Sequence, residues 1–279
     1  MRQLKLLHSV ILILSFTNLF GQTEDVTKIF DQPKFMPGEF GCVQINRTDR
    51  TLSVTVWILQ DSLGNTSYNE TNLIPPMDFL DQVFEPIGLS FKVCAINEIE
   101  NFQFDEFEEE EGHLEEILGM YYQTNTINIY LTESITTLQE GEVGGFAAFP
   151  GGRDFVFMTK ESMIGESDVL VHEMGHFFGL YHTFETEQGG AELVDGSNCE
   201  TAGDLICDTE ADPSDFAANN PAPDCNYNGT PLTDANGDFY VPPTNNFMSY
   251  YSSDCTCRFT PMQYNRMLDQ YLTARTNLW

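Results

Sequence analysis

The segment His172-Glu173-Met174-Gly175-His176-Phe177-Phe178-Gly179-Leu180-Tyr181-His182 constrains this chain more than any other. His172 and His176 stand four residues apart, so on a helix they share one face and can grip one ion. Ser167 is placed to cap a helix over 167–180. Gly179 can adopt a positive φ and end that helix, after which the chain can swing His182 round as a third ligand. Three nitrogen ligands leave a fourth position for water, the arrangement of a catalytic zinc. Glu173 is then free to polarise that water instead of binding metal. The chain has five histidines and three of them fall in this stretch, which sets it apart from histidines scattered over a core or a surface helix.

Composition decides what such a centre can meet. The 279 residues hold 12 Lys+Arg against 43 Asp+Glu, a formal net charge of −31. That balance excludes a nucleic-acid binder resting on a basic surface and argues against docking on anionic lipid. It does not argue for disorder, because 41% of the residues are apolar and 13% aromatic, enough for a core. The charge favours cationic partners, either metal ions or basic polypeptides. Ten acids lie in 98–116 and ten more in 185–215. The first cluster reads as a solvated loop or one wall of a cleft.

Arg2 and Lys5 precede an apolar run from Leu6 to Phe20, and small Gly21 follows it. The run is too short and too interrupted for a comfortable membrane span, and predicts a signal peptide over 1–21, with an uncleaved anchor as the alternative. Residues 22–50 then form a short pro-segment or irregular lead-in, and 51–279 the catalytic domain of a secreted monomer. Seven cysteines lie beyond the signal: Cys42, Cys94, Cys199, Cys207, Cys225, Cys255 and Cys257. Export makes disulfides their default state, and the odd number leaves at least one outside an internal pair. Cys255-Thr256-Cys257 alone is a weak metal motif. Cys42 either ties the lead-in to Cys94 or caps the zinc as a latency ligand.

Alternation and β-branching predict strands at 51–60 (TLSVTVWILQ), 89–96, 126–131 and 154–159. A Gly-rich apolar segment, 143–150, precedes the last of these. Met77, Leu80, Val83 and Phe84 at helical spacing predict a helix over 75–84, and Thr260–Leu272 reads as a closing helix. Residues 183–245 lack periodicity, and a loop region that long needs a function, metal ions or disulfides to hold it. Within it, Asp234, Asn236 and Asp238 space oxygen side chains at alternate positions: the start of a calcium loop, or a tight Asx-rich turn. Strands and helices followed by an irregular half give an α+β class.

Further along, Asn245-Asn246-Phe247-Met248-Ser249-Tyr250 supplies a methionine turn. With it the chain resembles the metzincin metallopeptidases, whose two signatures are the extended histidine motif and that turn. Four blocks are similar, in order, to the pappalysin family of metzincins, especially its secreted bacterial and archaeal members. They are His176-Phe177-Phe178-Gly179-Leu180-Tyr181-His182-Thr183-Phe184, Gly203-Asp204-Leu205-Ile206-Cys207-Asp208-Thr209, Asn246-Phe247-Met248-Ser249-Tyr250 and Phe259-Thr260-Pro261-Met262-Gln263.

The resemblance covers roughly residues 50–275 and implies a metzincin-like zincin fold with a deep cleft. A twisted mixed sheet and the active-site helix would form an upper subdomain over about 51–179. An irregular, disulfide-stapled lower subdomain, about 180–279, would carry the closing helix. Met248 would floor the zinc as packing, not as a ligand. Tyr250 would hydrogen-bond near the metal and stabilise the tetrahedral intermediate, unless it is simply a buried turn tyrosine. Asp254 would sit at the base of the pocket for the residue after the scissile bond and select Arg or Lys, unless it is a surface carboxylate beside a disulfide. Segment 143–150 would be the sheet edge along the cleft, able to pair with an extended peptide. Asp204, Asp208 and Thr209 become candidates for structural calcium. Family order favours the pairs Cys199–Cys225 and Cys207 with Cys255 or Cys257, although sequence alone leaves all pairings open.

These readings converge on a secreted zinc endopeptidase with Glu173 as general base, cutting before Arg or Lys in polypeptides, with no nucleic-acid or membrane partner. The alternative is a non-catalytic exported zinc-binding or adhesion protein, for which a free carboxylate at Glu173 would have no use.

Overall fold

The computed structural model describes residues 11–13, 43–109, 112–213, 225–227 and 232–278. The expected signal peptide, apart from 11–13, and the greater part of the lead-in with Cys42 lie outside the described residues. Two compact units result, one built on Arg47–His182 and Asn265–Trp279, the other on Thr183–Tyr264.

The main sheet of the first unit has six strands: β1 (Ile11–Ile13), β2 (Arg50–Leu59), β3 (Leu89–Ile99), β5 (Ile127–Thr132), β8 (Gly145–Ala148) and β9 (Phe155–Thr159). They run in the order β1-β8-β9-β5-β2-β3. Neighbours from β3 through β9 pair parallel, while β8 pairs antiparallel with β9 and with β1. A smaller sheet joins β4 (Glu106–Glu108), β6 (Ser134–Thr137) and β7 (Gly141–Glu142), in that order. The central strands β5 and β9 are buried throughout, as a parallel sheet covered on both faces requires.

One face packs on helix α1 (Ile74–Phe84) and helix α3 (Asp168–Phe177). Phe178, just past α3, meets Phe84 of α1 and Phe91 of β3 at ring-centroid distances of 5.8 and 6.5 Å. The other face carries an aromatic core in which Phe146 stacks on Phe157 at 4.8 Å and Phe107 reaches Phe157 at the same distance. Helix α2 (His113–Met120) closes that core with Ile117 and Leu118.

The acidic stretch 98–116 is more ordered than expected. It contains the end of β3, a 3-10 turn at Phe102–Phe104, β4 and the start of α2. Between the carboxylates, Ile99, Phe104 and Phe107 are buried at 2% exposure or less. Solvated acids point outward and these three anchor the segment inward. Not every acid is solvated: Asp105 is buried, with its carboxylate 2.6 Å from the equally buried Lys160 ammonium.

In the second unit, disulfides do what periodicity does elsewhere, but with other partners than expected. Cys199 pairs with Cys207, and Cys225 with Cys255, in place of Cys199–Cys225 and Cys207 with Cys255 or Cys257. The turn at 196–199, where the Cys199 amide donates to the Gly196 carbonyl, lets the near neighbours in sequence meet. Cys94 is exposed, Cys257 is half-buried, and neither is in a disulfide among the described residues. Helix α4 (Pro261–Ala274), which belongs to the first unit from Asn265 onward, closes the chain.

One close approach fixes α3 against the sheet. A Cβ on Gly145 of β8 would fall 2.9 Å from the Phe157 carbonyl oxygen and 3.1 Å from Glu173 Cγ. The oxygen is backbone and cannot yield. Gly145→Ala is expected to destabilise the protein by about 1–3 kcal/mol in urea unfolding, the usual cost of overpacking. Gly119→Ala on α2, where nothing lies within 4 Å, should instead be neutral or stabilising. Equal effects at the two sites would show that the approach at Gly145 is not tight.

Candidate metal centre

Helix α3 starts as its sequence dictates. The Ser167 side chain accepts from the Leu170 amide at 3.0 Å, and Asp168 sits in the first turn, where the helix dipole favours an acid. Every residue from Val169 to Phe177 is buried. The helix ends at Gly179, with φ +83°: its amide donates to the His176 carbonyl at 2.8 Å and the Leu180 amide to the Gly175 carbonyl at 2.9 Å. That reversal carries the chain back to His182.

The three imidazoles converge. His182 Nε2 lies 3.2 Å from His172 Nε2 and 3.1 Å from His176 Nε2. Two nitrogens about 2.05 Å from one tetrahedral zinc would lie about 3.3 Å apart, so the donor set fits zinc. The second nitrogen of His176 supports this role, since its Nδ1 lies 2.8 Å from the Leu180 carbonyl oxygen. Donation there leaves the Nε2 lone pair for a metal. Burial pushes the His176 pKa down to about 4, and burial together with the other two rings pushes His182 well down. His176 and His182 are therefore neutral at physiological pH, as metal ligands must be. Among the described residues no other group of His, Cys, Asp and Glu brings three such donors together. His113 serves the aromatic core instead. Its Nδ1 accepts from the Glu108 amide at 3.0 Å and its ring packs on Phe104 and Phe107.

Glu173 is 0% exposed, and neither carboxylate oxygen has a hydrogen-bond partner among the described residues. Burial, reinforced by Glu140, pushes its pKa well up. An orphaned buried carboxylate is costly, and it fits a site that holds a cation and a proton-bearing substrate.

The Met turn is pinned in the second unit. Asn246 accepts from the Met248 amide at 2.9 Å and exchanges side-chain amide bonds with Gln263, both residues being fully buried. Met248 is itself fully buried, and its carbonyl accepts from the amide of Thr183, the residue after His182. Tyr250 is half-buried and its ring packs on Phe184 at 4.7 Å. Asp254 is exposed, next to the Cys225–Cys255 bridge.

Two of the calcium candidates, Asp234 and Asp208, hold their own loops. Asp234 accepts from the amides of Asn236 and Asp238 on one oxygen and of Val194 on the other, while Asn236 and Asp238 are exposed. That is the Asx-rich turn. Asp208 accepts from the Thr260 hydroxyl and the Met262 amide, capping the first turn of α4. Asp204 accepts from the Ile206 amide and the Thr209 hydroxyl.

Comparison with known proteins now has a geometry to meet. The family model Peptidase_M43, described as pregnancy-associated plasma protein-A, matches residues 121–271. The chain belongs to the pappalysin family. Pappalysin-1 of Mus musculus is 30% identical over 171 residues, which are 56% of this chain but only 10% of that protein. The chain thus spans a tenth of the length of that relative. An extracellular metalloprotease of Arthroderma gypseum is 28% identical over 73% of this chain and 67% of its own length. Mature mirolysin of Tannerella forsythia, solved with a cleaved peptide, superposes with a TM-score of 0.58 at 18% identity, covering 83% of this chain and 96% of that one. The fold is accordingly the metzincin-like α+β architecture expected.

Sequence reasoning missed Asp212. It is 2% exposed, and one oxygen accepts from the hydroxyls of Thr183 (2.7 Å) and Ser249 (3.1 Å), tying the residue after His182 to the Met turn. No local pattern marks it, because its partners lie 29 and 37 residues away. Burial pushes its pKa up to about 7 from 3.8. The native state therefore holds a proton that the unfolded chain releases, so this group's contribution to stability falls as pH rises from about 4 to about 7. Asp212→Asn keeps an acceptor oxygen and removes the titration. Its stability relative to wild type should improve between pH 5 and pH 8, by up to about 1.4 kcal/mol per pH unit. Parallel pH profiles in urea unfolding would contradict this.

Proposed function

We propose that the chain is a secreted zinc endopeptidase. The observation that carries the reading is the convergence of three buried Nε2 donors in the same helix-and-turn unit as a buried carboxylate with no hydrogen-bond partner among the described residues. His172, His176 and His182 would hold one zinc. Bound there, the ion would supply the positive charge that acidifies a water toward neutrality and polarises the scissile carbonyl. Glu173 takes the proton from the attacking water and passes it to the leaving amine. Burial pushes its pKa up, the direction that suits a group that must both accept and give a proton. The Tyr250 phenol donates to the developing oxyanion. The polypeptide lies extended along β8, whose outer edge accepts β1 in antiparallel register. Secretion is in keeping with the extracellular naming of the fungal relatives, and no described helix is long and apolar enough to cross a membrane.

Preference for Arg or Lys after the cut is assigned to Asp254, and its exposure bounds the effect. An exposed ion pair contributes about 0–1 kcal/mol, so the selectivity is about fivefold or less. One assay tests both roles, cleavage of a mixed peptide pool by zinc-loaded protein. Glu173→Gln should lose about 10²–10⁴-fold in rate with zinc retained. Asp254→Ala should keep the rate and flatten the basic preference. Equal activity of Glu173→Gln sinks the mechanism, and an inactive zinc-loaded wild type favours the non-catalytic zinc-binding protein.

Calcium belongs to this reading at Glu192. That side chain is 3% exposed, Oε2 has no hydrogen-bond partner among the described residues, and it packs against Gly203 beside Asp204. Burial, with help from Glu210, pushes its pKa up to about 7. Glu192, Asp204 and Thr209 would supply oxygens to one ion. Adding calcium to chelated, zinc-loaded protein should raise Tm, and Glu192→Gln should abolish the rise. A Tm indifferent to calcium contradicts the assignment.

A further inference from the structure

Arg275 follows the last residue of α4 and is 1% exposed. Its guanidinium directs its donors at a single set of acceptors. Nη1 lies 2.7 Å from Asp154 Oδ1 and donates to the Arg153 carbonyl at 3.2 Å. Nη2 donates to the Ala148 carbonyl at 2.5 Å and to the Phe177 carbonyl at 3.2 Å, and Nε reaches the Phe177 oxygen at 3.3 Å. The Phe177 ring lies under the guanidinium, 3.8 Å from Cζ to the ring centroid. The Asn277 side chain holds the second oxygen of Asp154.

These acceptors matter because of where they stand. Phe177 ends α3, the helix of His172 and His176, and its carbonyl is among those a helix leaves without an internal partner. Ala148 ends β8. The pairing of β8 with β9 stops at Ala147 and Val156, so Ala148 lies past the end of that ladder and is held from the side by Arg275. The next residue, Phe149, packs its ring on His176 at 5.5 Å and on Tyr181 at 5.4 Å. One rigid fork thus fixes the end of β8 to the end of the ligand-bearing helix.

We propose that Arg275 is a positioning residue for peptide cleavage, keeping the β8 edge in register with the metal centre. The inference rests on the proteolytic reading above. Stability alone does not explain the residue, since a buried ion pair is often matched or bettered by apolar side chains of similar volume. What the planar fork adds is geometry, with several acceptors held at fixed directions by one group. A peptide antiparallel to β8 brings its N-terminal portion to the Ala148 end. Substrate residues furthest toward the N-terminus therefore depend most on Arg275.

The test compares two peptides with the same scissile core, one extended by three residues on its N-terminal side. Wild type should cleave the extended peptide about 10–100-fold faster in kcat/KM, through lower KM. Arg275→Lys keeps a charge for Asp154 but cannot fork. It should bind stoichiometric zinc, cleave the short peptide within about twofold of wild type, and lose the gain from extension. Asn277→Ala loosens only Asp154 and should lose part of that gain, which provides a readout if Arg275→Lys does not fold. The role is overturned if Arg275→Lys retains the gain, if it loses zinc or both peptides equally, or if it does not fold and Asn277→Ala is unchanged. Wild type that cleaves neither peptide defeats the proteolytic reading itself, a result distinct from all of these.

Discussion

The close packing of α3 beneath the β8 edge is the constraint from which the rest follows. Gly145 lets the helix come so near that Glu173 lies against the strand, and everything from Val169 to Phe177 is withdrawn from water. Burial is what keeps His176 and His182 neutral and leaves the Glu173 carboxylate without solvent to satisfy it. Both conditions are unfavourable for an apolar core and favourable for a cation site, because a divalent charge offsets the cost of a buried anion and needs unprotonated nitrogen. The helix must then stop within one turn of His176 if His182 is to reach the same point, and the positive φ of Gly179 provides that stop.

The legible part of the molecule is the part whose signals are local. Ser167, the 172–182 stretch and Gly179 act within a few residues of one another, and each stands in the structure as its chemistry predicts. Strands β2, β5 and β9 were readable from β-branched and apolar runs. The acidic stretch 98–116 was not, because three buried anchors among ten acids give a weak periodic signal. Disulfide pairing was not, because it depends on which loops meet, and Cys199 meets its neighbour eight residues on. Asp212 and Arg275 were invisible for a related reason. Their partners lie 29 and 121 residues away, and nothing in their immediate sequence announces a buried charge.

The large negative charge also takes on a structural meaning. Some of the 43 acids are internal ties: Asp105 to Lys160, Asp154 to Arg275, Asp212 to two hydroxyls, and Asp208 to the start of α4. In the irregular unit, which has few regular ladders, carboxylates accepting backbone amides stand in for them, as Asp234 does with three. The composition therefore reports how loops are held as much as what the surface attracts.

The central claim is that three histidines of one helix and one turn hold a single zinc with a position left for water. X-ray absorption at the zinc edge of the purified protein addresses it directly. One zinc per chain with three imidazole nitrogens at about 2.0–2.1 Å, one further light ligand and no sulfur is the result expected. Sulfur in the shell, a fourth imidazole, or no stoichiometric zinc in a folded protein would contradict it.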